Sequence, residues 1–106
     1  MRIHLAASAV VLILAFGGAR ASEADDAGRL LFTKGATPPC ALCHTLADAK
    51  ATANVGPSLD ELKPEAPRVV QAVKMGIGAM PAYPQLSEQQ LQALARYVAR
   101  ASGASK

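Results

Sequence analysis

Apolar residues are distributed along this chain in two different ways. From Ile3 to Ala19 they form a nearly unbroken run, interrupted by His4 and Ser8, with Val10-Val11-Leu12-Ile13-Leu14 at its centre. Further on they recur at helical spacing in three stretches. Ala24, Ala27, Gly28 and Leu31 stand at i, i+3, i+4 and i+7, which predicts a helix over Glu23 to Thr33. Ser22 and Asp25 have capping-box spacing at its start, and Gly35 closes it. Val69, Ala72, Val73 and Gly76 share one face of a second helix, Glu65 to Met75, which Pro64 and Pro67 suit at the entry and Gly76 and Gly78 end. The third helix, Glu88 to Ala101, carries the stripe Leu91, Leu94, Ala95 and Val98. Ser87 is its N-cap, Gln90 completes a capping box, and Gly103 stops it.

No stretch shows the alternation of a half-buried strand, so the expected class is all-α. The connections are long. Lys34 to Lys63 holds Thr37-Pro38-Pro39 and Gly56-Pro57-Ser58-Leu59, and Ile77 to Leu86 holds Pro81 and Pro84. Short helices with long connections suit a chain whose loops wrap a ligand.

The first apolar run reads as a leader. It follows a basic start, Met1-Arg2, and ends in Ala19-Arg20-Ala21, a small-x-small site, which is the pattern of a secretory signal peptide. The rival is an uncleaved anchor, but the run is slightly short of the roughly 20 residues a bilayer span needs. The expected organisation is therefore a signal peptide over 1–21 and a single exported domain over 22–106, with no membrane span after cleavage.

Cleavage changes the charge. The 106-residue chain has a formal net charge of +3. Without Arg2 and Arg20, nine basic residues face eight acidic ones, a net charge of +1. Basic residues form no cluster and the few aromatics are scattered, so a nucleic-acid footprint is absent. With 4% aromatic residues and no Trp, a domain of this size builds a weak core and leans on a staple. A disulfide between Cys40 and Cys43 would close a tiny loop and stabilise little.

Cys40-Ala41-Leu42-Cys43-His44 supplies a larger staple. C-x-x-C-H is the attachment site of a c-type haem. Two thiols add across the two vinyl groups on one haem edge, and two intervening residues let one turn of chain present both sulfurs. The adjacent His44 then meets the iron as proximal ligand. The alternatives fit less well. A thioredoxin-type C-x-x-C follows a strand, whereas Thr37-Pro38-Pro39 precedes this motif. Structural zinc takes four ligands, and the other histidine, His4, lies in the leader.

For the second axial position the candidates are Met75, Met80, a small exogenous ligand or none. Met75, at a helix end, reads as a flexible core filler. Met80 precedes Pro81, which biases it to extended backbone, and it is the favoured ligand. Pro57 offers its carbonyl to the other nitrogen of His44, although a Gly-Pro turn needs no such role. Tyr83 has two readings, a hydroxyl aimed at a haem propionate or a surface ring beside Pro84. Phe32 and Tyr97 read as packing residues where the first and last helices cross, with Gly28 allowing close approach.

Taken together, Gly28-x-x-x-Phe32, Cys40-x-x-Cys43-His44, Gly56-Pro57-x-Leu59, Met80-Pro81 and a C-terminal helix bearing Tyr97 resemble a class I cytochrome c. That resemblance implies three to four helices and loops around one covalently bound haem c. It also implies His44 and Met80 as axial ligands and Pro57 as the residue orienting His44. The runs Cys43 to Ala49, Val55 to Pro64 and Gly76 to Pro81 are similar to the small c-type cytochrome subunit of bacterial sulfite dehydrogenases.

The functions this implies are electron-transfer functions. The first is a periplasmic one-electron carrier, fed by a molybdenum-containing sulfite-oxidising subunit and emptied by a downstream cytochrome or oxidase. It acts either as that enzyme's haem subunit or as a free shuttle for this or another dehydrogenase. Leu59, Val73, Ile77 and Leu94 are expected around the haem, and Ala79, Pro81, Ala82 and Pro84 could form an apolar docking patch. A haem enzyme or gas sensor with an open iron is the contrasting class. No catalytic acid, base or nucleophile is evident, so the chain is not expected to be catalytic alone.

Overall fold

The computed structural model describes residues 2–3, 6–12 and 17–105. The expected leader, 1–21, lies partly outside these residues, including Met1 and 13–16 of its apolar run. The chain is mostly helical. Helix α1 spans Gly17–Leu30, α2 Leu59–Leu62, α3 Ala66–Met75 and α4 Glu88–Ser102. Among the described residues no helix is long and apolar enough to cross a membrane.

Helix α4 begins and ends as its sequence dictates. The Gln90 N–H donates to Ser87 Oγ at 3.1 Å, and the Ser87 N–H donates to Gln90 Oε1 at 2.9 Å. Gly103, at φ 87°, caps the other end. Helix α3 carries proline in its first turn and stops at Gly76, at φ 73°. A side chain at Gly76 would also collide with the Met80 carbonyl, 2.8 Å from an added Cβ. The absence of that side chain lets residues 77–80 fold back on the helix end. Ile77 and Met80 exchange backbone hydrogen bonds of 3.1 and 2.9 Å, and the Tyr83 N–H donates to the Val73 carbonyl.

Helix α1 departs from expectation. It starts at Gly17, so Ser22 lies inside it and is not a cap. Asp25, the other half of the expected box, forms a two-pronged ion pair with Arg100 of α4, both contacts 2.6 Å. After Leu30 the helix widens into one π-helical turn, Leu31–Gly35. Three short elements, two strands and α2, have no counterpart in the sequence pattern. Strands β1 (Thr45–Leu46) and β2 (Ala51–Thr52) pair antiparallel with Leu46 opposite Ala51. Each has two residues, too few to show alternation. Helix α2 is a single turn, with Asp60 and Glu61 in its first turn, where acidic side chains favour the helix dipole.

The core forms where α1 crosses α4. Phe32, Leu46, Leu94 and Tyr97 are fully buried. The Phe32 and Tyr97 rings meet edge to face, centroids 6.2 Å apart. Gly28 faces the Ala93 carbonyl and Tyr97, with no room for a Cβ. The Tyr97 hydroxyl donates to Asp48 at 2.8 Å, and Arg29 reaches the same carboxylate at 2.9 Å. The guanidinium groups of Arg29 and Arg100 lie 5.8 and 5.7 Å from the Tyr97 ring centroid. Asp48 belongs to the turn Ala47–Ala49, just after the cysteine motif. The network therefore ties that motif's loop to the α1–α4 pair.

Candidate haem-attachment site

A cavity of about 460 Å³ opens between the cysteine loop, α3, the 77–83 segment and α4, within the range of small-molecule and cofactor sites. Its wall is almost wholly apolar. Leu59, Val73, Ile77 and Leu94, expected around a haem from sequence, all line it, with Phe32 and Tyr83.

The cysteine motif reaches this wall through one tight turn. Pro39 is extended, and Cys40–Leu42 then forms a 3-10 turn. The Cys43 and His44 N–H groups both donate to the Cys40 carbonyl, at 3.1 and 3.0 Å. That turn brings Cys40, Cys43 and His44 onto the cavity together. The two cysteines form no disulfide with each other. Before haem is attached, burial pushes the Cys40 thiol up to about 11.

His44 is fixed from one side. Its Nδ1 lies 2.7 Å from the Pro57 carbonyl, which makes Nδ1 the protonated nitrogen and leaves Nε2 with the lone pair a metal needs. Gly56 lies flat against the ring. A Cβ there would sit 2.6 Å from His44 Cε1 and 2.9 Å from Nδ1. The Gly56 N–H in turn donates to the Cys43 carbonyl at 2.6 Å. Sequence spacing points to the Pro57 carbonyl as acceptor or to a simple turn at Gly56-Pro57, and not to this steric role, which depends on a contact across the loop.

The two methionines separate clearly. Met80 is half-buried on the cavity wall. Met75 is 72% exposed at the end of α3, so its reading as a core filler is corrected. The fold-back of residues 77–80 brings Met80 in, while the last turn of α3 turns Met75 out.

Tyr83 fits neither of its sequence readings as stated. The ring is 6% exposed, so it is not a surface ring. Its hydroxyl donates to the Pro38 carbonyl at 2.6 Å, which commits its single proton to the segment before Cys40 rather than to a propionate. Burial pushes the phenol up to about 12, so it remains a donor. Ala79, Pro81, Ala82 and Pro84 are all exposed, as a docking patch requires. Arg68 also lines the cavity, a residue that sequence reasoning did not single out.

The chain matches, over residues 23–98, the family model described as cytochrome c oxidase, cbb3-type, subunit III. It belongs to this family of c-type cytochromes. A crystal structure of the c-type cytochrome SorU from Sinorhizobium meliloti is similar to it at 50% sequence identity and a TM-score of 0.75, covering 77% of this chain and 94% of that one. No curated protein matches. The fold is thus that of a class I cytochrome c, and the cofactor is covalently bound haem c. The site fits the group. Two cysteines and an imidazole share one apolar cavity, the donor set that thioether attachment and iron ligation require.

Proposed function

We propose that this cytochrome is a periplasmic one-electron carrier whose iron is held by His44 and Met80. The haem supplies the chemistry, a single electron exchanged between ferric and ferrous iron. The chain does the rest. Cys40 and Cys43 hold the group covalently, which prevents its loss outside the cytoplasm. Pro57 and Gly56 hold the His44 ring in one tautomer and one orientation. Leu59, Val73, Ile77 and Leu94 exclude water and lower the local dielectric, which tunes the potential. The observation that carries this reading is the convergence of Cys40, Cys43, His44 and Met80 on one apolar cavity.

Export rests on the leader pattern of residues 1–21, and the family match begins at residue 23, next to the expected cleavage site after Ala21. The donor we propose is a molybdenum-containing sulfite-oxidising subunit, with a downstream cytochrome or oxidase as acceptor. It is supported by the likeness of the runs around His44, Pro57 and Met80 to the cytochrome subunit of sulfite dehydrogenases. The cavity rim supports a docking role. Ala79, Pro81, Ala82 and Pro84 beside it are exposed, and small redox contacts of this kind are transient.

The test is native mass and metal content of the haem species taken from its own periplasm, followed by addition of sulfite. A species larger than the cytochrome, carrying molybdenum and reduced by sulfite, is the expected result for a permanent subunit. A monomer reduced by sulfite only when the enzyme is added supports a free shuttle. A haem that sulfite never reduces, with or without that enzyme, overturns the sulfite reading.

A further inference from the structure

Segments 43–47 and 56–60 lie side by side with a constant offset. The Gly56 N–H donates to the Cys43 carbonyl at 2.6 Å, His44 Nδ1 meets the Pro57 carbonyl at 2.7 Å, and the Ala47 N–H donates to Asp60 Oδ2 at 2.9 Å. Each of these pairs is separated by 13 residues. A constant offset means that the two stretches run parallel and in register, so a slip of one residue would carry the Pro57 carbonyl away from the imidazole. We propose that Asp60 is a positioning residue for His44: its carboxylate pins the far end of this register and so holds the Pro57 carbonyl on Nδ1. This rests on His44 as an axial ligand, and not on the sulfite reading.

The first of the three links joins backbone groups and the second is the one to be held, so Asp60 is the side chain on which the register depends. Ala47 opens the turn Ala47–Ala49, and Leu46 before it supplies no side-chain cap. Asp60 fills that place from α2. A carboxylate accepting from a backbone N–H makes a bond roughly twice as strong as a neutral pair. Leu46 and Leu59, the residues just before Ala47 and Asp60, are both buried, which gives the link a packed base. The hairpin does not replace it. Thr45 and Leu46 pair with Thr52 and Ala51, and Thr45 Oγ1 donates to the Ala53 carbonyl at 2.7 Å, contacts that stop short of Gly56.

An acceptor held on Nδ1–H raises the basicity of the imidazole, which favours ferric iron, so loosening it raises the reduction potential. The test compares haem-loaded wild type, Asp60→Ala, Asp60→Asn and Glu61→Ala by spectroelectrochemistry and by proton NMR of the ferrous state. Asp60→Ala should raise the potential and speed the exchange of the His44 Nδ1–H with water. Asp60→Asn, which loses the charge and keeps an acceptor, should restore most of both. Glu61→Ala, which removes the same charge one residue further on, should match wild type. Wild-type values in Asp60→Ala overturn the proposal. So does an equal rise in Asp60→Asn or Glu61→Ala, which would be a charge effect. The wild-type holoprotein gives a second reading that needs no stable variant. Its Ala47 amide and its His44 Nδ1–H should both be protected from exchange, and an Ala47 amide that exchanges like a free peptide beside a protected His44 proton overturns the proposal. The His44 ring resonances, displaced by the haem in the same spectra, check the axial reading separately.

Discussion

The orientation of His44 depends on a missing atom as much as on a bond. The C-x-x-C-H motif is legible in sequence because five adjacent residues carry it, and one tight turn suffices to gather them. The Pro57 carbonyl was also legible, since a ligating imidazole needs a second acceptor. The role of Gly56 was not, because the atoms a side chain would strike belong to His44, across a loop that sequence spacing does not close. Gly56→Ala should therefore displace the imidazole. We expect less haem per polypeptide, and a shifted potential in whatever fraction loads. Wild-type values in both measurements would show that the loop yields at no cost. The Tyr83 partner was hidden for the same reason, since the hydroxyl meets Pro38 across a separation of 45 residues. Tyr83→Phe removes one hydrogen bond, so unfolding should become easier by about 1 kcal/mol while the reduction potential stays put. A large change in potential would restore the propionate reading of that hydroxyl.

Helices were legible where both their ends carry side-chain signals. The Ser87–Gln90 box and Gly103 bound α4 as expected, whereas α1 runs N-terminal to its apparent cap and uses Asp25 to bind Arg100 instead. The hairpin and α2 were illegible because elements of two and four residues are too short for any periodicity. Two predictions belong to this scale. The α1–α4 crossing relies on Gly28, and Gly28→Ala should cost about 1 to 3 kcal/mol through overpacking, read by urea unfolding. The second concerns Asp48. The hydrogen bond from Arg29, then that from Tyr97, holds its carboxyl below the usual carboxylate range. A depressed folded value means the stabilisation is fully present above the ordinary carboxylate pKa, near 3.9 for a free Asp, and is lost as pH falls through the folded value. Asp48 is partly exposed, so a modest figure applies: Asp48→Asn should cost about 1 kcal/mol at pH 7. That gap should shrink in acid, where wild type loses its carboxylate. A gap that stays constant down to the acid limit would mean the charge contributes nothing.

At the scale of the whole molecule, the architecture is legible in the order and spacing of the motifs more than in any single one. The near-neutral charge of residues 22–106 and the exposed Ala79, Pro81, Ala82 and Pro84 point to docking by contact rather than by long-range steering. The rate at which a redox partner reduces the haem should then change by no more than about threefold between low and high salt, where steered partners lose far more. A steep salt dependence would locate a charged patch that the overall composition hides. The central claim is that the chain fills both axial positions of its iron, His44 on one side and Met80 on the other. Carbon monoxide added to the ferrous protein tests it most directly. Wild type should leave its absorption spectrum unchanged on mixing, and Met80→Ala should bind the gas at once. Rapid binding by wild type, or a Met80→Ala protein as inert as wild type, would contradict the account.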